Sequence, residues 1–232
     1  MINPAEPSIN ASIVDLDALV LSRAIHAREL SCREVMQAYL AQIERCNPLV
    51  NALVSLGDPE ALLEQADERD RQLAQGQSMG WMHGMPQAIK DLAATAGMTT
   101  SMGSPLFAEH VPQGDAISVA RVRASGAIIV GKSNVPEFGL GSHTYNQLFG
   151  TTGNAYDSTL CAGGSSGGAA VALALRMLPV ADGSDMMGSL RNPAAFNNVF
   201  GMRPSQGRVP FGPTPDCLLY TSDAADEEDS VD

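Results

Sequence analysis

Gly126-Ala127-Ile128-Ile129-Val130-Gly131-Lys132-Ser133 can be read in two ways, and the choice decides the fold. As a pattern it satisfies G-x-x-x-x-G-K-S, the loop whose amides cradle a phosphate at the start of a helix. As chemistry it is a strand, with Ala127 to Val130 forming an uninterrupted apolar run rich in β-branched residues. A phosphate loop must itself be a turn and must lead into a helix. Here the residues between the glycines are the apolar run, and Asn134-Val135-Pro136 is a poor helix start. The strand reading wins, and binding of ATP or GTP is not expected.

Outward from that strand, Ile117 to Ala124 reads as a helix and Gln87 to Ile89 as another strand. The middle of the chain therefore runs β–α–β, the order of an α/β fold. Toward the N-terminus the pattern is helical. Leu16 to Ile25 puts Leu16, Leu19, Val20 and Ala24 at helical spacing. Ser31-Cys32-Arg33-Glu34 is a capping box, with Val35, Met36, Tyr39, Leu40 and Ile43 as the apolar stripe behind it. Asn51 to Leu56 reads as a short strand. Asp58 then caps a third helix that begins at Pro59 and runs to about Gln75-Gly76. Downstream, Ser166 to Arg176 is expected to be helical and Leu178 to Ala181 a short strand. About two helical turns should follow Ser189 despite Pro193. The expected fold class is α/β, a mixed sheet core flanked by helices with a helical N-terminal region.

The chain has 232 residues, enough to bury a sizeable core, and its apolar content of 44% is that of an ordinary globular protein. Half of its net charge of −12 comes from the stretch Cys217 to Asp232, which holds six acids and neither Lys nor Arg. No basic stripe points to nucleic acid or to an anionic membrane. Cys32, Cys46, Cys161 and Cys217 are scattered, without C-x-x-C spacing, so neither a disulfide framework nor a metal site is expected. The first residues lack a basic region followed by an apolar one, and no apolar run reaches membrane-spanning length. These features are compatible with a cytoplasmic protein.

Three segments carry the candidate chemistry. Met85-Pro86-Gln87-Ala88-Ile89-Lys90-Asp91 ends an apolar run on a lysine. Gly163-Gly164-Ser165-Ser166-Gly167-Gly168 is a glycine-flanked pair of serines. Gly183-Ser184-Asp185-Met186-Met187-Gly188-Ser189-Leu190-Arg191 places a further serine ahead of the short helix. A serine nucleophile needs a base, a proton path and donors for the oxyanion, and these segments can supply all three without a histidine. The G-x-S-x-G pattern of Gly163 to Gly167 is not a nucleophile elbow. Asn154 to Ala162 before it is polar and turn-like, and all four histidines (His26, His83, His110, His143) precede the serine.

Together the three segments resemble the amidase signature family, as do other runs in the same order. These are Gly97, Thr99-Thr100 and Gly103-Ser104, Gly131 to Phe138, Phe149 to Asn154, Asn192 to Phe196 and Gly201 to Ser205. The resemblance implies hydrolysis of a small-molecule carboxylic amide through an acyl-Ser189 intermediate. In that scheme Ser189 is the nucleophile, Ser165 in a cis peptide relays its proton, and a neutral Lys90 receives it. The N–H groups of Met186, Met187, Gly188 and Ser189 would form the oxyanion hole, with Ser166, Asp185 and Arg191 in support. Met187 departs from the family pattern, which has glycine there; a positive φ at that position would strain a methionine. No metal or organic cofactor is implied, nor any nucleic-acid or membrane partner, and a homodimer is one option for the full-length protein.

The alternative within the family is the amide-cleaving component of a glutamine-dependent tRNA amidotransferase, which would need partner chains. Outside that class stands an inactive fragment. Family-like sequence stops near Pro215-Asp216, whereas family members continue with a second half. The expected organisation is the N-terminal part of one amidase domain over residues 1–216 and an acidic, disordered tail over 217–232.

Overall fold

A computed structural model of the chain describes residues 13–205 and 207–210. The expected tail over 217–232 lies outside the described residues.

The N-terminal region is helical. Helix α1, Ala18–Ala27, starts where the Asp17 carboxylate accepts from the N–H groups of Leu19 and Val20. It buries Leu21, Ala24 and Ile25, whereas Leu19 is 64% exposed and Val20 is exposed as well. Of the expected stripe, Ala24 is buried and Leu16 packs partly buried against the core, whereas Leu19 and Val20 lie in the solvent-facing first turn and Leu21 and Ile25 take their place inside. Helix α2, Cys32–Val50, has the capping box between Ser31 and Glu34 and buries Val35, Met36, Tyr39 and Ile43. Asp70 on helix α3, Pro59–Ala74, supplies a second cap to α2 by accepting from the N–H groups of Cys32 (2.7 Å) and Arg33 (3.1 Å). That joint satisfies donors that a helix start otherwise leaves open. Asp58 and Pro59 open α3 as the sequence suggests.

Among the described residues the main sheet has three strands in the order β1–β3–β2, with β1 at Leu53–Val54, β2 at Pro86–Lys90 and β3 at Ile128–Ser133. Strand β3 is central and buried at every residue, antiparallel to β1 and parallel to β2. Helix α4, Ile117–Ala124, lies between β2 and β3 in the chain, giving the β–α–β unit. The stretch with the phosphate-loop pattern is therefore the central strand itself. A separate two-stranded ribbon pairs β4, Tyr145–Asn146, with β5, Gly150–Thr151.

Main-core side chains include Leu21, Ile25, Met36, Tyr39, Met85, Ile128, Val130, Val171 and Met177, each at most 1% exposed. Burying a large apolar side chain contributes about 1.5–3 kcal/mol, so this layer is what holds the sheet and helices in register. Helix α5, Gly167–Ala174, is built from small residues and buried through its first six. A side chain at Gly168 would collide with the backbones of Ala52 and Asn134, so its glycine allows the helix to settle directly on the strand ends.

Leu178 to Ala181 does not form the expected strand. The edge of β2 is met there by a side chain instead, with the Lys90 N–H donating to Asp182 Oδ1 at 2.9 Å. A carboxylate occupies the place of a ladder carbonyl. Helix α6, Arg191–Phe196, accommodates Pro193 in its first turn, where a missing N–H costs nothing. Among the described residues no helix is long and apolar enough to cross a membrane.

Candidate active site

The parallel pairing of β2 with β3 fixes which buried lysine faces the serines. Ile89 is the partner of Lys132 and Lys90 the partner of Ser133. Side chains alternate faces along a strand, so Lys90 and Lys132 leave the sheet on opposite sides. Lys132 is fully buried on the far face, where it donates to Ala93 O (2.7 Å), Thr95 Oγ1 (2.8 Å) and Thr100 Oγ1 (3.1 Å), with Asp91 Oδ1 at 4.0 Å.

Lys90, the last residue of β2, is 2% exposed. Its Nζ lies 2.8 Å from Ser165 Oγ, 2.8 Å from Ser166 Oγ, 2.9 Å from Ser184 Oγ and 3.3 Å from Ser184 O. Burial pushes the Lys90 ammonium down from 10.5 to about 7, against the opposing pull of Asp182 and Asp185. An amine so placed exists in both protonation states near neutrality, which is what proton exchange with a hydroxyl requires.

Ser165 and Ser166, both 2% exposed, sit in the glycine segment that leads into α5, and the Gly164–Ser165 peptide bond is cis. Gly164 packs against the backbone of Ser142 and His143. A Cβ there would lie 2.9 Å from His143 N and 3.0 Å from Ser142 C. Thr144 brackets the serines, donating from Oγ1 to Gly163 O (2.8 Å) and accepting from the Gly167 N–H (3.1 Å). The Ser166 N–H in turn donates to Ser189 O at 3.1 Å, tying the two serine segments together.

The Ser184–Arg191 loop is organised by Asp185. Its carboxylate is fully buried and accepts from the N–H groups of Gly188 (2.7 Å) and Leu190 (3.1 Å), and from Arg191 Nε (2.9 Å). Burial would raise its carboxyl pKa, but the hydrogen bonds from Arg191, Gly188 and Leu190 prevail and hold it well below the usual carboxylate range. Arg203 adds a bond from Nε to Asp185 O at 3.3 Å. Gly188, at φ 104°, takes the left-handed turn; Met187 does not have a positive φ. The departure from glycine at 187 therefore causes no backbone strain, and the Met187 side chain points to solvent, 83% exposed.

Among the sequence-predicted residues, Lys90, Ser165 and Ser166 meet directly. Ser189 joins them through its carbonyl, and among the described residues no hydrogen bond links its hydroxyl to Ser165. The Gly188 N–H corrects the expected oxyanion hole, because it is spent on Asp185 Oδ1. The N–H groups of Met186, Met187 and Ser189 have no acceptor among the described residues. Sequence reasoning gave no role to Ser184, Asp182 or Thr144. Ser184 stood beside Asp185 in the Gly183–Arg191 segment, but nothing in its type or spacing said that it would face the lysine.

The Amidase family model matches residues 34–221. Over 194 residues the chain is 43% identical to a glutamyl-tRNA(Gln) amidotransferase subunit of Thermus thermophilus, covering 82% of this chain and 39% of that protein. Among solved structures, a bacterial aryl acylamidase of the amidase signature enzymes superposes with a TM-score of 0.82 at 32% identity, covering 88% of this chain and 42% of that one. A crystal structure of an amidase gives a TM-score of 0.78 at 37% identity, over 84% and 44% of the two chains. The chain spans about 40% of the length of the curated relatives it matches. With the family match running over most of the chain and the same fold found in solved relatives, the chain belongs to the amidase signature family.

Proposed function

We propose that these residues are the nucleophile-bearing part of a serine amidohydrolase acting on small carboxylic amides. The observation that carries this reading is the buried Lys90 amine, held near neutrality and in contact with the hydroxyls of Ser165 and Ser166. Ser189 Oγ attacks the amide carbonyl as its proton passes to Ser165, whose own proton passes to neutral Lys90. The developing oxyanion is met by the N–H groups of Met186, Met187 and Ser189, which have no acceptor among the described residues. Collapse of the tetrahedral species breaks the C–N bond, and the leaving nitrogen takes the proton back from Lys90 through Ser165. Water then hydrolyses the acyl-Ser189 ester by the same relay, releasing the acid. The Ser189 hydroxyl has to swing to Ser165 for the first step, a tightening common between empty and occupied sites.

A second reading is favoured by the sequence relatives, which bear the name of glutamyl-tRNA(Gln) amidotransferase subunits. Under it the amide is that of glutamine, and the ammonia is passed to a second reaction carried out with partner chains. The acyl-serine chemistry is the same in both readings.

The test is turnover by a full-length protein carrying these residues, on a panel of aryl, alkyl and glutamine amides, with hydroxylamine added to trap the acyl group. Hydroxamate formation from an aryl or alkyl amide supports the first reading; formation from glutamine alone, the second. No hydroxamate and no acid from any amide would overturn both.

A further inference from the structure

Away from the Lys90 cluster, Cys161 and His143 pair a second nucleophilic side chain with a base. His143 Nδ1 stands 2.6 Å from Cys161 Sγ, and the Gly163 N–H donates to the same sulfur at 3.1 Å. Cys161 is half-buried and His143 exposed. Both line an open cavity of about 300 Å³ whose walls also include Tyr145, Ser158, Thr159 and Leu160. The hydrolytic scheme uses neither residue, and neither touches Lys90.

A thiol attacks as its thiolate, so a base within reach of the sulfur can take the proton as it reacts, and N–H groups can face the developing anion. Cys161 has a ring nitrogen and a backbone N–H at its sulfur. Once the proton sits on His143 Nδ1, that N–H and the Gly163 amide converge on the sulfur, and the cavity leaves room for an approaching reagent. The other described cysteines lack this arrangement. Cys32 is fully buried, and burial together with Asp70 pushes its thiol up. Cys46 is half-buried, and no group among the described residues hydrogen-bonds to its sulfur.

We propose that Cys161 is a thiol-modification site, with His143 as its proton acceptor, that takes up low-molecular-weight disulfides by thiol–disulfide exchange. The Cys161 proton moves to His143 Nδ1, and the thiolate attacks one sulfur of the disulfide. The new Cys161–sulfur bond forms as the old sulfur–sulfur bond breaks, with its electron pair leaving on the departing sulfur. The departing thiolate is protonated by His143. Cys161 is oxidised to the mixed disulfide, and half of the reagent is reduced to thiol. The inference is independent of the hydrolytic reading, since nothing in it involves Lys90 or the serines.

The test treats the chain with limiting oxidised glutathione, quenches with acid at intervals and maps each cysteine peptide by mass spectrometry. Cys46 serves as the internal reference and Cys32 as the reporter of unfolding. Cys161 is expected to be modified at least ~10-fold faster than Cys46, with the ratio falling toward one in His143→Ala. Equal or faster modification of Cys46, or an unchanged ratio in His143→Ala, would overturn the proposal. If Cys32 becomes labelled in that variant, His143→Asn and the wild-type ratio decide the matter by the same criteria.

Discussion

Lys90 Nζ touches Ser165 Oγ at 2.8 Å although 75 residues separate them in the chain. The contact depends on three separate features of the fold. Strand β2 must end at Lys90 on the correct face of the sheet, α5 must settle on the strand ends, and Gly164 must pass close to the Ser142–His143 backbone. Burial outweighs the nearby carboxylates of Asp182 and Asp185 and pushes the Lys90 ammonium down to about 7.

The first prediction follows from that balance. The reactive form has neutral Lys90, so acylation by an amide or by a serine-directed probe should rise with pH along a limb centred at about 7. Raising the pH removes the Lys90 proton, so the sign is positive and the rate levels off above the limb. In Lys90→Met the limb should vanish and the plateau rate should fall by about 10²–10⁴-fold, the usual cost of losing a general base. A rate-against-pH series on both proteins checks this.

Asp185 should matter through the loop that it ties together. Asp185→Ala leaves the N–H groups of Gly188 and Leu190 without their acceptor and Arg191 without its partner. A loss of about 1–3 kcal/mol is expected in denaturant unfolding, the range for orphaned buried hydrogen-bonding groups. The pH dependence has a definite sign. A carboxyl whose folded pKa is depressed adds stability above its unfolded value of 3.8, and that stability is lost as pH falls through the lower folded value. The gap between wild type and Asp185→Ala should therefore be full at neutral pH and narrow only in strong acid.

At Met187 the expectation is a small effect. Its backbone lies outside the positive-φ region and its side chain is in solvent, so Met187→Gly relieves no strain and opens no cavity. Stability should change by no more than about 0.5 kcal/mol, as for other surface substitutions away from special features. Thermal unfolding of the variant checks this, and a gain of several degrees would show that the methionine is strained after all.

Much of the site was legible in the sequence because its parts are local. A lysine closing an apolar strand, serines among glycines, and an Asp six residues before an Arg can each be read within one short window. Helices α2 and α3 were legible for the same reason, since Ser31 with Glu34 and Asp58 with Pro59 mark their own starts. What could not be read depended on distant partners. Leu178 to Ala181 has strand-like composition, but whether it pairs depends on the β2 edge, which Asp182 occupies. Gly188 looked like a free oxyanion donor because the sequence does not show that the Asp185 carboxylate turns back on it. The role of Thr144, which brackets the serine segment from the β4 side, arises only from tertiary packing.

Whether Ser189 is acylated with Lys90 and Ser165 as its proton path is decided by site-specific labelling. A fluorophosphonate probe is applied to a full-length protein carrying these residues, and the adduct is located by peptide mapping in wild type, Ser165→Ala and Lys90→Met. A single adduct on Ser189 is expected in the wild type, with labelling slowed by at least ~10²-fold in both variants. An adduct on Ser165, Ser166 or Ser184 in place of Ser189, or undiminished labelling of Ser189 in Lys90→Met, would rule out this proton path.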